Sequence, residues 1–327
     1  MRPTAKPIRI AVLDDYQNVA LRYADWSPLQ GRAEVCVFND HLSDPQAVVD
    51  RLREFDVVCV MRERTPLTAA MLSQLPRMAL IVTTAMGNAA IDVEAALKQG
   101  AVVCGTGAVH NGTPELIWLH VLALARQLSA EQELLRAGRW QFGVGCDLDG
   151  ATMGIVGLGR MGSRVARVAL AFGMHVVAWS QNLTPERAAE NGARYVDKES
   201  LFRESDFVVT CLQLGPRTRG VIGARELSLM KPSAYFINTS RAPLVDEPAL
   251  IAALRDGRIA GAGIDVFEQE PLAADHPLRS LRNVFITPHL GYVTEAQYRL
   301  FYGETVEDIV AWLNGAPIRC IGFQRQA

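Results

Sequence analysis

Short runs of β-branched and other apolar residues alternate with amphipathic segments along most of this chain of 327 residues. In the first part of the chain, the strand-like runs cover residues 8–13, 33–38, 57–61, 80–84 and 101–104. Segments 44–55 and 92–99 lie between these runs and have the periodicity of helices. Such apolar runs indicate strands covered on both faces, which is typical of a parallel sheet flanked by helices. The sequence therefore predicts an α/β domain in this part of the chain.

A second and more regular β-α array begins at Ala151. Its predicted strands cover residues 153–156, 175–179, 207–212, 234–238, 259–265 and 284–287. Before it, residues 113–137 form a long helical pattern that is apolar around most of its circumference, so we expect a buried helix, partly covered by another subunit. A polar stretch at 138–150 follows, and 294–314 has the pattern of a last helix. At roughly 150 residues per domain, the length fits two α/β domains.

Charge and cysteine usage exclude several classes of protein. Lys plus Arg number 33 and Asp plus Glu 35, a formal charge of −2, which argues against a general nucleic-acid or membrane-surface binder. No apolar run approaches the ~20 residues that span a bilayer, and the N-terminus has no signal-peptide core. We expect reduced thiols, a cytoplasmic protein and no metal, because the cysteines are scattered without metal-ligand spacing. They are Cys36, Cys59, Cys104, Cys146, Cys211 and Cys320.

The most specific local motif is GIVGLGRMG at residues 154–162. It has the pattern G-x-G-x-x-G at Gly157, Gly159 and Gly162, directly after a predicted strand and before a helix predicted over 163–172. The first glycine permits a tight turn, the second lets the backbone approach a pyrophosphate, and the third allows the helix to pack closely on the strand. Free N–H groups at the start of the helix favour an anion. The motif therefore predicts a Rossmann-like dinucleotide site.

The residue expected to select the dinucleotide is missing. In NAD-binding domains an acidic residue about 20 positions further on binds the ribose hydroxyls. Here the strand ending at Trp179 is followed by Ser180, Gln181 and Asn182, without a carboxylate. Residues 180–184 also contain no Arg or Lys to pair with the 2′-phosphate of NADP, and the nearest cation is Arg187. We expect both NAD(H) and NADP(H) to be used, with NADPH at least comparable to NADH.

Three polar residues follow predicted strands at the edge of the sheet where open α/β folds bind ligands. Arg241, Glu270 and His289 each have an ordinary structural explanation, but together, downstream of a dinucleotide loop, they make a chemical set. An arginine can bind the carboxylate of a keto acid through two parallel hydrogen bonds. A histidine can transfer a proton to or from the hydroxyl oxygen, and a glutamate can hold its ring and favour the charged form.

The chain is similar to the D-isomer-specific 2-hydroxyacid dehydrogenases, the family that contains D-3-phosphoglycerate dehydrogenase and glyoxylate/hydroxypyruvate reductase. The matching segments are GIVGLGRMG, INTSRAPLVDEPALIAAL (237–254), AGAGIDVFEQEPL (260–272), ITPHLGYVT (286–294) and, more weakly, MGNAAIDVEAA (86–96). The resemblance implies Arg241 as binder of the substrate carboxylate, His289 as general acid and base, and Glu270 as its partner. It also implies that Asp265 contacts the nicotinamide carboxamide.

Further residues are implied by the same resemblance. The other candidates for cofactor binding are Gly157, Gly159, Arg160, Met161, Gly162, Ser180, Gln181, Cys211, Leu212, Thr218, Thr239, Ser240 and Gly291. The candidates for substrate binding are Arg62, Met86, Gly87 and Asn88, with Arg64 a further possible anion contact. Two departures from the family pattern, Ala242-Pro243 after the arginine and Cys211 with Gln213 after a strand, leave the catalytic set intact.

The resemblance also implies the domain organisation. Residues 1–105 and 295–327 would form the substrate-binding domain, and residues 106–294 the NAD(P)-binding domain, with flavodoxin-like and Rossmann-like parallel sheets and an active-site cleft between them. We expect a homodimeric oxidoreductase that interconverts a D-2-hydroxy acid and its 2-keto acid. A dinucleotide-sensing binding protein like the family's corepressors is the alternative, and a formate dehydrogenase is less favoured because such chains usually begin with a longer segment.

Overall fold

The structure is a computed structural model, and it describes residues 7–322. The chain divides after Val109 and after Val293 into two compact units, the first built from both ends of the sequence and the second from its middle. Each unit has one sheet, and all strand pairings in the two sheets are parallel. The predicted α/β class with two parallel-sheet domains is confirmed.

The first unit begins with a β-α alternation. Its strands are β1 (Ile8–Val12), β2 (Ala33–Val37), β3 (Val57–Val60), β4 (Leu80–Thr83) and β5 (Val102–Gly105), in the sheet order β2-β1-β3-β4-β5. Its first helices are α1 (Ala20–Tyr23), α2 (Pro45–Leu52), α3 (Ala69–Leu72) and α4 (Val93–Lys98). Every residue of β3 and β4 is buried, because helices cover the sheet on both faces. Asp44 caps α2 by accepting hydrogen bonds from the N–H groups of Gln46 and Ala47.

The second unit has a larger sheet. Its strands are β6 (Thr152–Val156), β7 (His175–Trp179), β8 (Arg194–Tyr195), β9 (Phe207–Thr210), β10 (Tyr235–Asn238), β11 (Gly261–Ile264) and β12 (Val284–Ile286), in the order β12-β11-β10-β9-β6-β7-β8. Its helices are α5 (Gly112–Ala125), α6 (Leu128–Arg136), α7 (Arg160–Ala171), α8 (Pro185–Ala189), α9 (Lys198–Glu204), α10 (Ala224–Leu229) and α11 (Glu247–Arg255). The last helix, α12 (Glu295–Leu313), belongs to the first unit.

The single helix predicted over residues 113–137 is wrong. The chain breaks between α5 and α6, where Gln127 adopts a left-handed backbone with φ of +51°. Nine residues of α5 are buried, whereas α6 buries none. After α6 the chain folds back, and the N–H groups of Phe142 and Gly143 donate to the Glu131 carboxylate. A single left-handed residue does not change the spacing of apolar residues along the sequence. The helical pattern therefore extends across the break, and the sequence gives no sign of it.

The structure differs from the predicted elements at α7 and β8, and it also shows the state of the cysteines and the length of the helices. Helix α7 begins at Arg160, three residues earlier than predicted, and β8 is a two-residue strand that the sequence did not predict. All six cysteines are free thiols. Within residues 7–322, the helices are too short or too polar to cross a bilayer. The cytoplasmic location stays a prediction.

Candidate active site

The loop after β6 contains the three glycines of the nucleotide motif. Gly157 has φ of +106°, and a Cβ there would lie 2.8 Å from the carbonyl oxygen of Cys211. A Cβ on Gly162 would lie only 2.2 Å from the carbonyl oxygen of Gly157. A Cβ on Gly159 would meet no described atom within 4 Å. Backbone packing therefore requires two of the glycines, while the third borders open space that a ligand can fill.

The start of α7 offers hydrogen-bond donors next to that space. No side chain caps this helix, and its first backbone hydrogen bond runs from the N–H of Ser163 to the oxygen of Gly159. The N–H groups of Arg160, Met161 and Gly162 precede that bond, so they are available to an anion. Strand β6 lies between β7 and β9, at the point where the strand order reverses, which is where open α/β sheets bind ligands. These residues fit the pyrophosphate of a dinucleotide.

The loops after β7 and β9 lie beside the glycine loop. Gly157 donates its N–H to the oxygen of Trp179 at 2.8 Å, and Gln181 Nε2 donates to the backbone oxygen of Arg217 at 3.0 Å. Burial raises the pKa of the Cys211 thiol to about 12, so this thiol stays protonated at neutral pH. These loops contain five of the residues predicted to bind the cofactor, Ser180, Gln181, Cys211, Leu212 and Thr218.

Hydroxyl groups lie in the loops after β9 and β10. Thr218 Oγ1 accepts a hydrogen bond from the N–H of Gly215 at 2.8 Å, and Ser240 Oγ donates to the oxygen of Thr210 at 2.8 Å. The Thr239 hydroxyl is buried and has no hydrogen-bond partner in the described part of the chain. Because leaving a buried hydroxyl unpaired costs about 1–3 kcal/mol, Thr239 Oγ1 is a hydrogen-bonding group that a bound ligand would satisfy.

The structure brings two of the three predicted catalytic side chains into contact. His289 Nδ1 lies 2.6 Å from Glu270 Oε2, and the other Glu270 oxygen accepts the N–H of Phe267 at 2.9 Å. A carboxylate can only accept, so the His289 ring carries its proton on Nδ1, and Nε2 is the nitrogen available for proton transfer. His289 itself has a left-handed backbone with φ of +53°, a conformation that non-glycine residues rarely adopt and that often occurs at functional sites.

The charge of Glu270 depends on these neighbours. Burial raises the pKa of its carboxyl, but the hydrogen bond and charge of His289, the N–H of Phe267 and the positive charge of Arg241 lower it further than burial raises it. The net pKa lies below the usual value, so Glu270 is a carboxylate at neutral pH. Arg241 donates one guanidinium N–H to the backbone oxygen of Ser240 at 2.8 Å. The three side chains therefore form one electrostatic group.

Asp265 lies beside them at the end of β11 and is fully buried. One carboxylate oxygen accepts the Thr287 hydroxyl at 2.5 Å and the N–H of Leu290 at 2.7 Å, and the other accepts the N–H of Gly291 at 3.0 Å. Thr287 Oγ1 also lies 2.9 Å from His120 Nε2. Since the single hydroxyl proton goes to Asp265, His120 must donate its Nε2 proton to Thr287. This chain of hydrogen bonds fixes Asp265 and the loop that contains His289.

Neither His120 nor Thr287 was predicted from the sequence as part of the site. Burial lowers the pKa of His120 to about 4, so the ring is neutral, and its Nδ1 has no partner among residues 7–322. Burial also raises the pKa of Asp265, although the Thr287 hydroxyl and the backbone N–H groups oppose this effect. A histidine within the apolar pattern of α5 was the available signal, because a buried polar side chain requires a hydrogen-bond partner.

The residues predicted to bind substrate lie in the first unit, after β3 and β4. Asn88 Nδ2 donates to the backbone oxygen of Arg62 at 2.6 Å, and Thr84 Oγ1 accepts the N–H of Arg62 at 2.8 Å. Met86 is half exposed, and a Cβ on Gly87 would meet nothing within 4 Å. The structure thus brings Arg62, Met86, Gly87 and Asn88 to one edge of this sheet, and their role in substrate binding stays a prediction.

Arg64 has a different environment from Arg62. Its guanidinium donates to the backbone oxygen of Asp14 at 2.8 Å and lies 4.4 Å from the centre of the Tyr16 ring. A hydrogen bond of 3.5 Å joins it to the Tyr298 hydroxyl. These contacts hold the Arg64 guanidinium against residues of the first unit, and its role as an anion contact stays a prediction.

The fold and the glycine loop define a dinucleotide-binding α/β protein. Within its described residues, no group of His, Cys, Asp and Glu side chains is arranged to hold a metal ion. Residues 118–291 match the model of the D-isomer specific 2-hydroxyacid dehydrogenase NAD-binding domain. A glyoxylate reductase from Thermococcus litoralis is 36% identical over 293 residues, 86% of this chain and 88% of that protein. Glyoxylate/hydroxypyruvate reductase B from Klebsiella pneumoniae is 38% identical over 255 residues, 76% of this chain and 79% of that protein.

A solved structure gives the same result. The phosphoglycerate oxidoreductase from Vibrio cholerae has a TM-score of 0.90 at 37% identity and covers 94% of this chain and 100% of its own. The chain belongs to the D-isomer-specific 2-hydroxyacid dehydrogenase family. It is an NAD(P)-dependent oxidoreductase of D-2-hydroxy acids, and the resemblance noted from its motifs is confirmed.

Proposed function

We propose that the enzyme reduces a small 2-keto acid to the D-2-hydroxy acid, and catalyses the reverse oxidation, with His289, Glu270 and Arg241 as its active residues. The 2.6 Å contact between His289 and the ionised Glu270 is the observation that carries this proposal. Glyoxylate and hydroxypyruvate, named for the relatives, are the first substrates to test, together with phosphohydroxypyruvate. Turnover of one of them with NADH or NADPH supports the proposal, and no turnover of any 2-keto acid contradicts it.

In this mechanism each side chain has one task. The nicotinamide, when bound, supplies the hydride for reduction and accepts it for oxidation. His289 donates the Nε2 proton to the carbonyl oxygen as the alkoxide forms, and takes it back in the reverse direction. Glu270 stabilises the imidazolium and keeps the other ring proton on Nδ1. Arg241 binds the substrate carboxylate through two parallel N–H groups, which orients the keto carbon.

The cofactor residues divide by the part of the dinucleotide they would bind. The loop from Gly157 to Gly162, with Arg160 and Met161, would bind the pyrophosphate, and Ser180 with Gln181 the adenosine ribose. Cys211, Leu212, Thr218, Thr239, Ser240 and Gly291 would line the cofactor, and Asp265 would bind the nicotinamide carboxamide. The alternative of a dinucleotide-sensing binding protein is not favoured, because the compared proteins are named as reductases and an oxidoreductase.

Cofactor choice gives the first testable prediction. Ser180 neither binds the ribose as a carboxylate does nor repels a 2′-phosphate, so we expect NADPH to be accepted at least as well as NADH. Ser180→Asp should shift the kcat/KM ratio toward NADH at least tenfold, because a like-charge contact in a tight site costs up to several kcal/mol. Titration of both cofactors measures the ratio.

The control for this substitution is Thr184→Asp, which adds the same charge at the cap of α8, where aspartate also caps well. It should leave the ratio closer to that of the unmodified protein. A preference of the unmodified enzyme for NADH above roughly a hundredfold, about 2.7 kcal/mol, would contradict the prediction.

We also propose that the enzyme is a homodimer, formed through an exposed apolar groove of the second unit between α5 and α7. Three large apolar side chains of this groove are partly exposed: Leu119 (44%) and Leu122 (41%) on α5, and Phe172 (40%) after α7. Large exposed apolar patches usually mark an interface, and in a dimer with a twofold axis the patch of one subunit covers the same patch of the other.

We expect the double substitution Leu119→Asp with Leu122→Asp to yield monomers, as measured by light scattering, whereas Leu21→Asp in α1 should leave the dimer intact. A monomeric unmodified protein would contradict the proposal.

A further inference from the structure

The loop after β7, residues 180–184, contains no cation, but the backbone of Arg217 lies beside it. Gln181, the neighbour of Ser180, donates its side-chain N–H to the backbone oxygen of Arg217 at 3.0 Å, across 36 positions of the chain. The loop containing Arg217 is closed by Thr218, whose hydroxyl donates to the oxygen of Gln213 at 2.7 Å. The backbone of Arg217 is therefore held against the loop that follows β7.

No described carboxylate neutralises the charge of Arg217. Its side chain is exposed, and no carboxylate within residues 7–322 forms an ion pair with it. The loop from Ser180 to Thr184 contains no acidic residue either. The exposed guanidinium belongs to a residue whose backbone is bonded to Gln181, the neighbour of Ser180, and no described carboxylate pairs with it. Such a guanidinium is suited to bind a phosphate.

We propose that Arg217 is the residue that recognises the 2′-phosphate of NADP(H), with Ser180 as a hydroxyl donor to the same group. This inference rests on the proposed function, because it assumes that the adenosine ribose lies at the end of β7. The loop after β7 has no cation to pair with the phosphate, and Arg217, from the loop after β9, would supply one. Arg187, the nearest cation in sequence, is on α8, and no described hydrogen bond connects its side chain to Ser180 or Gln181.

Binding of two adenine nucleotides to the full chain tests this assignment without any turnover. Adenosine 2′,5′-bisphosphate contains the 2′-phosphate, and 5′-AMP lacks it. Calorimetric titration should show tighter binding of the bisphosphate to the unmodified protein. Arg217→Ala should lower that affinity about tenfold, equivalent to about 1.4 kcal/mol, with a change of less than twofold for 5′-AMP. Arg217→Glu should lower it further, because the new carboxylate repels the phosphate.

Two arginines serve as matched controls. Arg219→Ala removes an exposed cation from the same loop, two residues along, and should leave the ratio of the two affinities unchanged. Arg187→Ala tests the alternative ligand. The proposal is wrong if Arg217→Ala and Arg217→Glu keep the ratio of the unmodified protein, or if Arg187→Ala alone abolishes the preference.

The experiments distinguish a failure of this proposal from a failure of the proposed function. Equal binding of both nucleotides, with turnover of a keto acid by NADH, would exclude a 2′-phosphate site and leave the enzyme assignment intact. An absence of binding by NADH, NADPH and both adenine nucleotides would contradict the two proposals together. A parallel tenfold loss in the kcat/KM for NADPH, with Arg217→Ala, would support both.

Discussion

Replacement of His289 by alanine should lower kcat for keto-acid reduction by about 10²–10⁴-fold, the usual contribution of a positioned acid or base. The side chain lies 2.6 Å from Glu270, and its Nε2 nitrogen is the group that would protonate the alkoxide. Cofactor affinity should change little, because the glycine loop and the start of α7 are separate from this ring. Steady-state kinetics and a fluorescence titration of NADPH measure the two quantities. Turnover near that of the unmodified enzyme would end the assignment.

The partner of the histidine provides a control with a different signature. Glu270→Gln keeps the size of the side chain and a hydrogen-bond acceptor but removes the negative charge. Since the pKa of Glu270 is held below its usual value, that charge is present throughout the neutral range. Its loss makes the imidazolium less stable, so the rate of reduction should decline at a lower pH than in the unmodified enzyme. An unchanged pH profile would show that Glu270 does not support the charged ring.

Arg241→Lys should raise KM for the keto acid roughly ten- to 150-fold, corresponding to about 1.5–3 kcal/mol for a lost charged hydrogen bond. An ammonium is a compact charge and does not reproduce the two parallel N–H groups of a guanidinium. Affinity for NADPH should stay nearly constant. Kinetics at saturating cofactor, with the keto acid varied, give the value directly.

Arg255→Lys, at an exposed position on α11, is the matched control and should leave KM unchanged. If Arg241→Lys kept the substrate KM but weakened NADPH binding, Arg241 would belong to the nucleotide site instead. If both variants lost activity and secondary structure, the effect would be one of folding, which circular dichroism detects. A normal spectrum with a raised KM supports the carboxylate role.

The two parallel sheets were predictable from local sequence because their strands are covered on both faces. Strands such as β3 and β4 therefore contain only buried, mainly apolar residues, and the helices between the strands keep their own periodicity. The glycine motif was predictable for a similar reason, since a Cβ at Gly157 or Gly162 would collide with the backbone. The break at Gln127 was not predictable, because both sides of it have a helical pattern and one left-handed residue separates them.

By itself, the sequence determined the fold class, the dinucleotide loop and the identities of Arg241, Glu270 and His289, whose roles stay predictions. Only the tertiary structure put His289 against Glu270, linked Asp265 through Thr287 to His120, and brought Arg217 to Gln181. The physical reason is the strand order of the parallel sheet. The loops that follow β7 and β9 meet at the end of β6, which lies between these two strands. His120 on α5 contacts Thr287, which is 167 positions away in sequence. No local sequence pattern predicts contacts between residues so far apart.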